Sequence, residues 1–205
     1  MQLLAVSKTR PADSVREAVA AGQRAFGENY AQEAVDKAAE LAEAGLGPNL
    51  EWHFIGPLQS NKTRLVAEKF AWVHSIDRLK IAQRLAAQRP LGLEPLQVCI
   101  QVNVSGETSK SGCATDQVFA LAHSVAALPG LRLRGLMAIP EPSEDSDLQR
   151  SRFAMLRRVC EQLNGEGLTL DTLSMGMSHD LEAAIMEGAT IVRVGTAIFG
   201  ARVRA

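Results

Sequence analysis

The sequence predicts an α/β protein folded as one (β/α)8 barrel over residues 1–205. Eight short apolar runs alternate with eight amphipathic stretches, and strands that alternate with helices favour parallel pairing. Eight such units in 205 residues lie at the small end of the range for this barrel. The rival fold, an open doubly wound sheet, requires a glycine-rich phosphate loop after the first strand, and this chain has Lys8-Thr9-Arg10-Pro11 there instead.

The predicted strands are short runs rich in apolar and β-branched residues, bounded by turn-forming residues. In chain order they cover residues 3–7, 24–27, 51–56, 72–75, 97–104, 132–138, 172–175 and 191–195. Runs of this kind are typical of strands that are buried on both faces, as in a parallel barrel.

The stretches between the strands carry apolar residues at helical spacing. They predict helices at residues 12–21, 31–44, 62–68, 78–88, 115–128, 147–164 and 180–187, with a short eighth helix at 197–203. Gly22 and Gly188 directly follow the first and seventh helices, where glycine commonly ends a helix. Pro90 and Pro129 stand just beyond the fourth and fifth.

Composition and charge exclude several classes of protein. A net charge of −1 argues against broad electrostatic binding of nucleic acid. No apolar stretch approaches the roughly 20 residues needed to span a bilayer, and Lys8 and Arg10 interrupt the N-terminal run before a signal peptide could form. The three cysteines and four histidines show no disulfide or metal spacing, so we expect no metal site and a reducing compartment, the cytoplasm.

Polar residues gather where the predicted strands end. The active face of such a barrel lies at the carboxyl ends of its strands, so these residues are expected to form one ring. In strand order they are Lys8, Glu28-Asn29-Tyr30, residues 53–59, His74-Ser75, Asn103-Val104-Ser105, Met137, residues 174–179 and residues 193–196.

Lys8 is the most informative member of this ring. It ends an apolar run, and lysine is among the residues least often fully buried. Burial at the mouth of a barrel would lower the pKa of its ammonium group, and a neutral amine can form a Schiff base with an aldehyde. The alternative is that Lys8 is simply the last strand residue and extends into solvent.

The ends of the seventh and eighth strands predict a phosphate site. Ser178 is placed to cap the helix that follows, and free amides at such a position also bind phosphate, although a plain N-cap is the simpler interpretation. Gly195 allows the backbone to approach a ligand closely, and Thr196 offers an amide and a hydroxyl. Phosphate sites formed by the loops after these two strands recur in this fold.

Arg193 lies between Val192 and Val194 on the eighth strand, so its side chain should point away from theirs, towards the barrel mouth. A guanidinium there is always charged and only donates hydrogen bonds. The alternative is an arginine paired with an acidic neighbour.

Nine segments carry a resemblance to a known family. They are AVSKT (5–9), FGENY (26–30), WHFIGPLQSNK (52–62), HSID (74–77), QVN (101–103), KSG (110–112), GLM (135–137), SMGMS (174–178) and RVGT (193–196). In this order, over nearly the whole chain, they resemble the pyridoxal phosphate homeostasis proteins, single-domain relatives of the alanine racemase barrel. The resemblance implies a TIM barrel of PLP fold type III that binds pyridoxal 5'-phosphate (PLP).

The resemblance also assigns cofactor-binding residues. It implies that Lys8 forms a covalent aldimine with PLP and that Ser178, Gly195 and Thr196 hold its phosphate. No metal and no catalytic residue is implied.

The remaining cofactor-binding residues surround the ring of PLP in this resemblance. Arg193 is implied to face the ring nitrogen, which would keep it unprotonated and weaken the ring as an electron sink. Asn29 is implied to lie in the pocket near the cofactor, and Met137 and Ser174 are implied to line the same pocket.

The function implied by the resemblance is to hold PLP and deliver it to PLP-dependent apoenzymes, as part of intracellular vitamin B6 homeostasis. From the resemblance we expect a barrel without the C-terminal β domain of racemases and without the usual N-terminal helix, and Tyr30 is the only tyrosine of the sequence. Since a two-base racemase takes its second base from a tyrosine of a partner's second domain, we expect a monomeric carrier without catalytic turnover. The alternatives are a racemase-like enzyme with Lys8 as its single base and a phosphosugar-type barrel enzyme without PLP.

Overall fold

The computed structural model describes residues 1–106 and 111–201. Its strands form a closed barrel in which all neighbours are parallel and follow chain order, which confirms the predicted fold. The strands are β1 (Gln2–Val6), β2 (Ala25–Glu28), β3 (Glu51–Phe54), β4 (Trp72–Ile76), β5 (Leu96–Gln101), β6 (Leu131–Met137), β7 (Thr172–Ser174) and β8 (Ile191–Val194).

A helix follows every strand. The helices are α1 (Ala12–Ala20), α2 (Ala31–Glu43), α3 (Thr63–Lys69), α4 (Leu79–Gln88), α5 (Val118–Ala126), α6 (Ser146–Gly165), α7 (Leu181–Met186) and α8 (Thr196–Phe199). A short 3-10 turn, Gly47–Asn49, precedes β3. Within the described part of the chain, no helix is long and apolar enough to cross a membrane.

Two predicted strands were too long by two or more residues at their carboxyl ends. β3 ends at Phe54 because its partner β2 ends at Glu28, which is paired with Phe54. β5 ends at Gln101, since Val102 pairs only in an isolated bridge with Cys113. Two further predictions concern residues outside the described part of the chain: the end of the predicted eighth helix, 202–203, and residue 110 of the KSG segment.

The apolar core lies in two layers. The larger layer packs between the outside of the sheet and the helices. The smaller fills the barrel and consists of Leu4, Ala25, Ile55, Trp72, Cys99, Met137 and Ile191. Gly135 lets β6 lie against β7, because a Cβ atom there would lie 1.8 Å from the Thr172 carbonyl oxygen.

Candidate functional site

A cavity of about 330 Å³ opens at the carboxyl ends of the strands. Its volume lies within the range of small-molecule sites in proteins. Six predicted site residues line it: Lys8, Asn29, Ser178, Arg193, Gly195 and Thr196. These six meet around one space, whereas other members of the expected ring, among them Glu28, His53, His74 and Asn103, do not line it.

Met137 and Ser174 do not line this cavity, which corrects their expected placement. Both are fully buried, and they lie in the layer of side chains below the cavity floor. Met137 belongs to the apolar cluster inside the barrel together with Ile55, which does line the cavity. The Ser174 hydroxyl accepts a hydrogen bond from Arg193 Nη1 at 2.8 Å.

Lys8 is half-buried and stands two residues past the end of β1. Ser7 N–H donates to the Gly27 carbonyl, which extends the pairing of β1 with β2 up to Lys8. Thr9 then adopts a left-handed backbone with φ of 63° and donates its N–H to Glu33 Oε1 at 2.6 Å. A non-glycine residue in this region is uncommon, so the turn after Lys8 is held in place by its neighbours.

A buried group of charges that was not predicted from the sequence lies behind this strand end, between the sheet and α2. Lys37 Nζ donates to Glu28 Oε1 at 2.8 Å, to Glu33 Oε1 at 2.6 Å and to the Ser7 carbonyl at 2.7 Å. The Ser7 hydroxyl donates to Glu28 Oε1 at 2.7 Å. Burial raises the pKa of the Glu28 carboxyl, although Lys37 opposes this. We call Ser7, Glu28, Glu33 and Lys37 the outer cluster.

The expected phosphate side of the cavity differs from the prediction in one respect. Ser178 is not the N-cap of α7, because that position belongs to Asp180, whose Oδ1 accepts the Met177 N–H at 2.6 Å. Ser178 instead is exposed and lines the cavity. Gly195 allows β8 to approach β1 closely, since a Cβ atom there would lie 3.2 Å from the Val6 carbonyl oxygen. Ser178, Gly195 and Thr196 thus line the same cavity from two neighbouring loops.

Arg193 reaches the cavity from inside the barrel, which confirms its predicted direction. The residue is 3% exposed, and burial lowers its pKa to about 10. Nη1 donates to the Ser174 hydroxyl and to the Ser174 carbonyl, and Nη2 donates to the Ala138 carbonyl at 2.8 Å. Among the described residues no carboxylate forms an ion pair with Arg193. The alternative of an arginine paired with an acidic neighbour is therefore wrong.

Several residues that line the cavity were not predicted from the sequence, including Arg10, Gln101 and Ser111. The reason differs between them. Gln101 was not predicted to line the cavity, because the fifth strand was predicted to continue to residue 104 and residue 101 then lies within it. The signal for Arg10 was its position two residues after Lys8; Nη2 of Arg10 donates to the Ala201 carbonyl at 3.0 Å and ties this loop to the end of the barrel.

Comparisons with known proteins give the family. The family model described as alanine racemase, N-terminal domain, matches residues 1–203. A pyridoxal phosphate homeostasis protein of Pseudomonas aeruginosa is 68% identical over 200 residues, covering 98% of this chain and 84% of the relative. The pyridoxal phosphate homeostasis protein of Escherichia coli K12 is 58% identical over 203 residues, covering 98% and 85%.

Solved structures agree with this assignment. PipY of Synechococcus elongatus PCC7942, solved with PLP bound, superposes with a TM-score of 0.87 at 41% identity, covering 98% of this chain and 92% of that chain. Alanine racemase of Corynebacterium glutamicum, at 18% identity and a TM-score of 0.73, covers 98% of this chain and 57% of its own and shares the fold. The chain therefore belongs to the alanine racemase N-terminal domain family and, within it, to the pyridoxal phosphate homeostasis proteins.

Proposed function

We propose that this protein binds PLP in the cavity at the carboxyl ends of the strands and holds it for delivery to PLP-dependent apoenzymes. The observation that carries the proposal is the meeting of an amine, a guanidinium and a set of hydroxyl and amide donors in one cavity of about 330 Å³. Further support comes from the names of the relatives and from PLP in the related PipY.

Lys8 is the covalent anchor in this proposal. Its amine would hold PLP through a carbon–nitrogen double bond to the aldehyde carbon, with the aldehyde oxygen released as water. The reaction is reversible by hydrolysis, which suits a protein that stores a reactive aldehyde and releases it. The turn at Thr9 and the outer cluster fix the strand end that carries this amine.

The phosphate of PLP is assigned to Ser178, Gly195 and Thr196. These residues line the cavity and carry two hydroxyls and three backbone N–H groups among them, and hydrogen bonds to a charged acceptor are stronger than those to a neutral one. Asn29 follows the end of β2 and lines the cavity, and we assign it to contact the cofactor. This half of the proposal rests on donors that converge from two loops.

Arg193 is assigned to the ring nitrogen. Because a guanidinium can only donate, it supplies a hydrogen bond to the nitrogen and does not accept a proton from a protonated ring. An unprotonated ring is a poor electron sink, which favours holding the cofactor over racemisation. Met137 and Ser174 support the site from below the cavity. Met137 packs under the cavity floor, and the Ser174 hydroxyl accepts a hydrogen bond from Arg193.

The first test is an absorbance spectrum of the PLP-loaded protein before and after borohydride reduction. We expect an imine band that reduction removes, with the adduct on Lys8 by peptide mass analysis. Lys8→Ala should abolish the adduct and leave the fold unchanged, while Lys80→Ala, on the exposed face of α4, should behave as the wild type. An adduct on another lysine would contradict the assignment.

The same loaded protein separates a carrier from an enzyme. Each amino acid is incubated with it in deuterated water, and exchange at the α-carbon is followed by NMR. No cofactor-dependent exchange is expected. Exchange at a rate useful for metabolism would instead support the racemase-like alternative, and the absence of any imine band would support a barrel enzyme without PLP.

A further inference from the structure

A chain of hydrogen bonds crosses the inside of the barrel, starting at Arg193. Its Nη1 donates to Ser174 Oγ at 2.8 Å, and Ser174 Oγ lies 2.7 Å from His74 Nδ1. His74 Nε2 lies 2.9 Å from His53 Nδ1. His53 Nε2 lies 2.7 Å from Glu51 Oε1. We call these five residues the relay.

The two ends of the relay lie in different openings of the barrel. Arg193 lines the cavity at the carboxyl ends of the strands. Glu51, the first residue of β3, lines a second cavity of about 420 Å³ at the amino ends, and its side chain is 42% exposed. His53, His74 and Ser174, between them, are fully buried. The relay therefore joins the cofactor cavity to solvent on the far side of the barrel.

Neighbouring side chains hold the lower half of the relay in place. The His53 ring stacks on Trp72 with centroids 5.3 Å apart, and the guanidinium of Arg134 lies 5.0 Å from the centre of the same Trp72 ring. Arg134 is itself paired with Asp171 at 2.6 Å. Rings fixed in this way keep their hydrogen-bond geometry, so the relay is a built feature.

Donor and acceptor chemistry fixes the direction of every hydrogen bond in the relay. An arginine only donates, and an ionised carboxylate only accepts. Burial lowers the pKa of both His53 and His74, so each ring is neutral near pH 7 and carries one N–H. Because Glu51 takes the Nε2–H of His53, the Nδ1 of His53 must accept from His74.

The same logic continues to the upper end. His74 donates through Nε2–H, so its Nδ1 accepts the Ser174 O–H. The Ser174 oxygen in turn accepts from Arg193. Every donor thus points towards Glu51. The opposite direction would require a proton on Glu51, and the hydrogen bond from His53 lowers the pKa of that carboxyl.

We propose that Glu51 is a positioning residue for Arg193, acting across the barrel by fixing the direction of the relay. The guanidinium and the carboxylate form an ion pair relayed through two neutral imidazoles and a hydroxyl, whose aligned dipoles favour both charges. With its hydroxyl proton directed at His74, Ser174 presents a lone pair to Arg193. Nη1 also donates to the Ser174 carbonyl at 2.5 Å, so the hydroxyl lone pair acts together with the Ser174 and Ala138 carbonyls in fixing the orientation of the guanidinium in the cavity wall.

The first test needs no variant and no cofactor. Nitrogen-15 NMR of the histidine rings at pH 6.5, where an ordinary histidine is about half protonated, reports tautomer and charge directly. We expect His53 and His74 to be neutral, and both to carry the proton on Nε2. A proton on Nδ1 of either ring, or a protonated ring, would overturn the proposal.

The second test reverses the lower end. Glu51→Lys places a group that only donates against His53 Nε2, so the relay should reverse and both rings should carry their proton on Nδ1. Glu94→Lys, which lines the same lower cavity and makes the same change in net charge, is the matched control and should leave both tautomers unchanged. Unchanged tautomers in Glu51→Lys, or the same switch in both variants, would refute the role of Glu51.

The link to the cofactor rests on the function proposed above and is measured separately. Glu51→Lys should weaken PLP binding roughly two- to tenfold, the effect of losing about one hydrogen bond, and shift the absorbance maximum of the bound cofactor, with Glu94→Lys unchanged. Reversed tautomers with unaltered affinity and spectrum would refute the positioning of Arg193. Failure of the Lys8 adduct would count against the proposed function alone, because the NMR measurements contain no PLP.

Discussion

The relay and the outer cluster both bury charge beneath a cavity residue, but they arrange it in opposite ways. In the outer cluster one ammonium, of Lys37, lies within 2.8 Å of Glu28 and 2.6 Å of Glu33. In the relay three neutral groups separate Arg193 from Glu51. One end of the relay also reaches solvent, whereas Glu28 is fully buried with one oxygen, Oε2, lacking a hydrogen-bond partner.

This difference separates two uses of buried charge. The outer cluster depends on direct pairing, so each charge is tolerated only while its partner is present. The two charged groups of the relay lie at opposite mouths of the barrel, and the direction of the hydrogen bonds between them is what couples them. Loss of the relay should therefore change the orientation of Arg193 more than the free energy of unfolding. The outer cluster therefore fixes the strand end that carries Lys8, and the relay orients Arg193.

The largest expected effect is the loss of Lys37. Lys37→Met leaves the Glu28 carboxyl buried without its cation, so we expect the free energy of unfolding to fall by about 3–5 kcal/mol in urea denaturation. The double variant Lys37→Met/Glu28→Gln is the control and should recover much of this loss, because no charge is then stranded. A loss below about 1 kcal/mol in the single variant would show that the pairing is not direct in solution.

The same variant has a pH signature. The pKa of Glu28 is raised above its ordinary 4.5, so the folded state holds this proton more tightly and the free energy of unfolding falls as pH rises through that window. Removing Lys37 raises this pKa further and extends the window upwards. The deficit of Lys37→Met should therefore be larger at pH 8 than at pH 5, and the double variant should lose this dependence.

The contrast also shows what sequence could and could not predict. Alternating apolar and amphipathic segments sufficed for the barrel, and strand ends sufficed for Lys8, Arg193 and Thr196, since both depend on local pattern. No local pattern relates Glu51 to Arg193, which barrel closure brings together through His53 and His74.

The depth of a side chain within the barrel could not be predicted from the sequence either. Met137 and Ser174 are the last residues of β6 and β7, and Lys8 lies just past the end of β1. Met137 and Ser174 nevertheless lie one layer below the cavity, which Lys8 lines. The stagger of neighbouring strands decides this, and it follows from the closed sheet as a whole. Ser178 was misassigned as a cap for a related reason, because Asp180 two residues later competes for the same position.

An intermediate effect is expected at the upper end of the relay. Arg193→Met removes the donor to Ser174 and Ala138, and unpaired buried acceptors cost roughly 1–3 kcal/mol. Removing a buried guanidinium offsets part of this loss, and the remaining carboxylate of Glu51 is reached by water. Urea denaturation should therefore give a smaller loss than Lys37→Met, and an equal loss would contradict the distinction between the two clusters.

The smallest expected effect on stability is at the lower end of the relay. Glu51→Gln keeps an acceptor for His53 but removes a charge whose side chain is 42% exposed, so we expect a loss below about 1 kcal/mol in urea denaturation. Because the carboxylate bond to His53 is charge-assisted, its replacement by a neutral amide should move the His53 Nε2–H proton resonance upfield. A large loss of stability with an unmoved resonance would make Glu51 a structural residue like Lys37. A small loss with a moved resonance shows instead that the relay carries orientation across the barrel at little cost in stability, which is the property that the outer cluster lacks.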